Sequence, residues 1–164
     1  MIRKLGFAML ASALATAAIA APLTVDDKDL HALPADISSA IGQDPGCSLM
    51  GKKANIQQSG RDVWFVTSTC GSNDGQPVWL VSTVSKPVII LDAGTFLNLD
   101  IKPGTTNGLP DVTTFTVKPL GYYAVSWRFN GSQYREAGSK FVEFSNPDSC
   151  NANADICKTY GPKR

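Results

Sequence analysis

Few side chains in this chain of 164 residues have the type and spacing to break or make bonds. It has one histidine, His31, and four cysteines, Cys47, Cys70, Cys150 and Cys157. A serine or cysteine nucleophile needs a base that a third group orients. With a lone histidine in the N-terminal segment and the cysteines expected to be oxidised, that route is closed, and His31 reads as a surface residue. Paired carboxylates can hydrolyse glycosidic bonds. The candidates are Asp92, Asp100, Asp111, Glu136 and Glu143, and each also has an ordinary place in a turn, at a strand end or on a wet face. Asn151, Asn153 and Asp155 put oxygen ligands at alternate positions, as a calcium loop does. Such a loop then needs glycine at its sixth place and an acid at its twelfth. Here those places hold Ile156 and Pro162. The stretch therefore reads as a capped turn, and no metal or other cofactor is expected.

The cysteine count is even, which in an oxidising compartment predicts two disulfides. Three pairings are open, and Cys47–Cys70 with Cys150–Cys157 is favoured because the second pair closes a short loop of polar and small residues. A four-cysteine metal site would call for a C-x₂₋₄-C spacing that this sequence lacks.

Residues 1–20 have the features of a signal peptide: Arg3 and Lys4, an Ala-rich apolar run, then Ala18-Ile19-Ala20 as an A-x-A cleavage site. The apolar run is too short for an ordinary membrane span. Cleavage after Ala20 leaves residues 21–164 as a single domain by length. Of the 15 basic residues two leave with the leader, so 13 face 14 acidic ones. That balance argues against a nucleic-acid partner, which needs a basic face to displace counterions, and against a polybasic membrane patch; no later stretch is apolar enough for membrane insertion. A periplasmic or secreted protein is expected.

The elements that must position these groups follow from the pattern of residues 107–136. Residues 111–117 are rich in Thr, Val and Phe and predict a strand. Residues 122–129 alternate, with Tyr123, Val125, Trp127 and Phe129 on one face and Tyr122, Ala124, Ser126 and Arg128 on the other. Asn130-Gly131 then predicts a two-residue turn into 132–136. Upstream, residues 62–70, 77–84, 88–91 and 96–101 read as strands. The first of these is apolar on both faces and so central. Asp92-Ala93-Gly94 reads as a turn and residues 103–108 as a long loop. Residues 140–144 add a short strand, with Phe141 and Phe144 as core candidates. Pro34 and Asp36 open a helix carrying Ile37, Ala40 and Ile41 on one stripe, and Gly42 ends it. The expected fold is mainly β (α+β), an antiparallel sheet of about seven strands with one short N-terminal helix. Trp64, Val125, Trp127 and Phe129 should be buried, and Ser126 and Arg128 wet.

The run N-G-L-P-D-V, an apolar strand, then W-R-F-N-G-S-Q-Y resembles a segment of small exported bacterial proteins, and one blade of FG-GAP-type repeats. That group includes periplasmic inhibitors of lysozyme-type hydrolases and immunity proteins against cell-wall effectors. The resemblance implies a non-catalytic binding protein with a peptidoglycan hydrolase as partner. It also implies that the loop closed by Cys150 and Cys157 could enter an enzyme cleft, although NANADI carries no established inhibitor motif. Asn151, Asn153 and Asp155 in that loop, and the outward Tyr122, Ser126 and Arg128, are the candidate contact residues. The other readings are a structural or stress-related envelope protein without an enzyme target, and a carboxylate-dependent hydrolase.

Overall fold

The computed structural model describes residues 22–42, 46–58, 61–72, 75–84, 86–151 and 154–162. The expected leader lies outside them. In chain order the elements are β1 (Leu23–Thr24), β2 (His31–Ala32), α1 (Ala35–Ile41), β3 (Leu49–Gln58), β4 (Arg61–Ser68), β5 (Gln76–Ser82), β6 (Val88–Phe96), β7 (Asn98–Thr106), β8 (Leu109–Lys118), β9 (Gly121–Phe129), β10 (Tyr134–Glu143), α2 (Pro147–Asn151) and α3 (Ala154–Tyr160). The chain is mainly β and antiparallel, as its patterning predicts. The single sheet of about seven strands gives way to two five-stranded sheets, ordered β2-β3-β4-β5-β6 and β1-β7-β8-β9-β10. Three helices, not one, are present among the described residues.

Alternation along the strands dictates the layers. From β4 and β5, Val63, Phe65, Val78 and Leu80 point to the centre, where they meet Leu99, Val112, Phe129 and Tyr134 of the second sheet. The alternate residues Trp64, Val66 and Val81 point outward and are roofed by Ile37 of α1. This is why β4 is apolar on both faces. The second sheet has its own roof: Phe115, Tyr122, Ala124 and Val142 are covered by Ile156 of α3. The result is four layers, helix on sheet on sheet on helix. Helix α1 has only seven residues, too few to persist without this docking. Its end is as predicted, with Gly42 at φ 79° and its N–H donating to the Ser38 carbonyl.

The chain passes from one sheet to the other at Leu97. Its N–H donates to the Phe115 carbonyl at 2.9 Å, and its carbonyl accepts from Val25 N at 3.1 Å. Several local expectations are corrected here. Asp92-Ala93-Gly94 is a bulge inside β6, because Trp79 pairs with Asp92 and Val78 with Gly94, leaving Ala93 as the extra residue. Residues 103–106 belong to β7, which is irregular between Ile101 and Thr105. Its hairpin closes at Asn107 and Gly108, both at positive φ (50° and 87°), the type I′ geometry that Asn-Gly favours. At Asn130 the turn has four residues, not two, since Phe129 pairs with Tyr134. There the Asn130 side-chain oxygen accepts from Ser132 N and Gln133 N, an Asx turn. The two short strands expected at 132–136 and 140–144 are one strand, β10, bulged between Glu136 and Gly138. Trp64 and Phe129 are buried, while Val125 and Trp127 are half-buried and Phe141 is exposed.

Candidate functional site

Both predicted disulfides are present. Cys47–Cys70 clamps the open end of the β3–β4 hairpin, just beyond the Leu49–Ser68 pair. Cys150–Cys157 ties α2 to α3, so the segment expected as a capped turn is a pair of short helices. Asn151 ends α2 and is exposed. Asn153 lies outside the described residues, and for Asp155 only the backbone, in the first turn of α3, is described. The loop's one large apolar side chain, Ile156, is buried against the second sheet.

Tyr122, expected to face outward, is 0 % exposed. The alternation of β9 is right, but α3 covers the N-terminal end of its outer face, and Tyr122 lies beneath it. Ser126 and Arg128 sit further along the same face, past the helix, and are exposed as expected. Strand register assembles their neighbours. Asp100, Thr113, Ser126 and Gly138 form one row across β7, β8, β9 and β10. Arg128 stands directly opposite Arg135, and Ala124 opposite Lys140. Lys102 leans in from β7, its Nζ 5.9 Å from the centre of the Phe115 ring.

Four cations thus share this stretch: Lys102, Arg128, Arg135 and Lys140. Two carboxylates answer them. Asp100 lies 3.4 Å from Lys102 Nζ, and Asp111 lies 3.4 Å from Arg128 Nε. Asp111 also accepts from the Thr106 hydroxyl at 2.7 Å. Arginines directly opposite each other across two strands repel, so the isolated sheet carries an uncompensated charge here. Between Lys102 and Lys140 the surface sinks into a hollow of about 360 Å³, with Thr113, Ser126 and Gly138 also lining it.

The other candidate groups are dispersed. Asp92 caps its own bulge by accepting from Gly94 N, and Glu143 accepts from the Ser145 hydroxyl. Glu136 pairs opposite Trp127, so it lies on the other face from Asp100 and Asp111. His31 is in β2, with its ring edge-on to Trp64 at 5.7 Å. Among the described residues no three of His, Cys, Asp and Glu are grouped to hold a metal, and no helix is long and apolar enough to cross a membrane.

Burial and, secondarily, the Asp111 carboxylate push the Tyr134 hydroxyl well above the usual tyrosine range. That hydroxyl donates to the buried Pro110 carbonyl at 2.7 Å. Asp27 is held below the usual carboxylate range, chiefly by its hydrogen bond from Lys52, which ties the β1–β2 loop to β3.

Sequence reasoning missed Lys102, Arg135 and Lys140. Their positions become legible only when β10 is read as one bulged strand and β7 is carried through Lys102. No family model, curated protein or solved structure matches this chain.

Proposed function

We propose that the chain is a non-catalytic binding protein of the bacterial envelope, exported to the periplasm or beyond. In this reading it is an inhibitor or immunity protein whose partner is a cell-wall hydrolase. The contact surface is the outer face of β7–β10 beyond α3, centred on Ser126 and Arg128. One observation carries the reading: four cations, two of them arginines in direct cross-strand opposition, against two carboxylates on an exposed sheet face. A face that repels itself when free gains most from an acidic partner, which raises association rate and selectivity. Glycoside hydrolases carry catalytic carboxylates in their clefts, so the charges complement. Two disulfides fit an oxidising compartment, and a braced surface loses little entropy on binding.

The test is capture from envelope extract by tagged mature protein, joined to lysozyme and amidase inhibition assays. The expected result is 1:1 capture of a hydrolase, weakened at least about tenfold when Arg128 and Arg135 are both changed to Glu, and unaffected by Asn151→Ala. Loss with Asn151→Ala alone would move the contact to the α2–α3 pair. No partner and no inhibition at micromolar protein would refute the reading.

A further inference from the structure

We propose that the hollow between Lys102 and Lys140 is a carboxylate subsite that takes an aspartate or glutamate side chain of a protein partner. The inference rests on the reading of this face as partner-facing and gives that contact its chemistry. Lys102 leaves β7 and Lys140 leaves β10, with two strands between them and four residue rows along them, so their backbones are separated by roughly 19 Å. Both lysine side chains line the hollow that lies within that span. Lys102 already leans inward over Phe115.

Space for a ligand exists because the intervening residues are small. Ala124, Ser126 and Gly138 line the gap, and a Cβ at Gly138 would meet nothing within 4 Å. The charge is only half satisfied. Lys102 shares Asp100, whereas among the described residues Lys140 has no acidic partner. The Ser126 hydroxyl, which also lines the hollow, adds a hydrogen-bond donor.

The donor set favours a carboxylate over a phosphate. Two flexible point charges on opposite walls suit an acceptor that reaches between them on an aliphatic stem. Tight phosphate sites converge backbone N–H groups or a guanidinium fork on one point, and this hollow offers neither. Exposed lysine–carboxylate contacts are individually weak. The subsite therefore sets register and selectivity within a larger interface.

Fluorescence polarisation of a labelled, end-capped hexaglutamate peptide on the disulfide-bonded full domain tests this, with hexaglutamine as the neutral control. Hexaglutamate should bind at low salt and hexaglutamine should not. Lys140→Gln should weaken binding at least roughly fivefold, and the double change with Lys102→Gln at least about tenfold. Ser126→Glu should abolish it by placing a carboxylate in the hollow. Lys53→Gln, on the other sheet, should change nothing, and near-UV circular dichroism should be unaltered in every variant. Binding indifferent to Lys140→Gln, equal binding of hexaglutamine, or displacement by inorganic phosphate at equal anion concentration would each overturn the assignment. If hydrolase capture fails while hexaglutamate still binds this hollow, the subsite stands and only the identity of the partner falls.

Discussion

Trp127 Nε1 donates a 2.9 Å hydrogen bond to the hydroxyl of Thr114 on the neighbouring strand, and Thr114 is fully buried. A half-buried indole thus delivers its polar end to a threonine inside the sandwich. Thr114→Val keeps the shape and removes the acceptor. It should cost about 1–3 kcal/mol, the penalty for leaving a buried polar group without its partner. Urea denaturation measures it, and an unchanged midpoint would show that the indole finds water instead.

Tyr134 should give the domain an alkaline limit. Its folded hydroxyl holds its proton above the usual tyrosine range, while the unfolded chain releases it near pH 10. Above that pH the unfolded state is favoured, so this contribution is full below about pH 10 and falls by about 1.4 kcal/mol per pH unit above it. Tyr134→Phe should be less stable at neutral pH by about 1–2 kcal/mol, since the buried Pro110 carbonyl loses its donor. Its stability should then decline less steeply from pH 10 to 11 than that of the unaltered protein. Parallel declines would disprove the assignment.

The two disulfides should differ in weight. Cys47–Cys70 spans 23 residues and Cys150–Cys157 spans 7. In the chain-entropy model their removal costs about 3.5 and about 2.5 kcal/mol respectively. Paired Cys→Ser variants compared by thermal unfolding give the order. Intact mass of the native protein should be lower by four hydrogens than after reduction.

Gly121 allows the start of β9 to close against the end of β10. A Cβ there would lie 2.1 Å from the Val142 carbonyl oxygen, a backbone atom that cannot swing aside. Gly121→Ala should part the Glu143–Gly121 end of the ladder and loosen the roof over Tyr122. Hydrogen exchange at Val142 and Glu143 should quicken while that at Val112 and Trp127 holds. Equal protection throughout would mean that the strands separate without harm.

The strands that sequence makes legible are those with a strong local signature. The period of two in β9 is right from Tyr122 to Phe129, and the helix ends where Gly42 stands. Burial was harder to read, because alternation separates two faces without saying what covers each end of them. Tyr122 and Arg128 share a face, yet α3 roofs the first and leaves the second wet. Strand β3 escapes notice because Lys52 and Lys53 interrupt its apolar pattern. Lys52 is held low on the sheet by its ion pair with Asp27, which is distant in sequence. Helices α2 and α3, of five and seven residues, are too short to show a period. Residues 92–94 and 103–106 have turn composition but are held in strands by pairing, and tertiary context overrides propensity there. The basic hollow is assembled from β7 and β10, so no local motif announces it.

The pairing list of the two sheets has a kinetic meaning. Every ladder joins strands that are neighbours in sequence, except β1 with β7. Zipping can therefore run hairpin by hairpin from each side of Leu97, with short loops to close, which favours speed for an all-β chain. The β1–β7 ladder must wait, because it closes a loop of more than seventy residues for only two pairs, Leu23 with Leu99 and Thr24 with Asn98. Leu23 is buried in the central core, and loop-closure entropy makes the amino-terminal arm the expected last piece to lock. Until it does, the Asn98–Leu99 part of the β7 edge stays open to pairing with another copy.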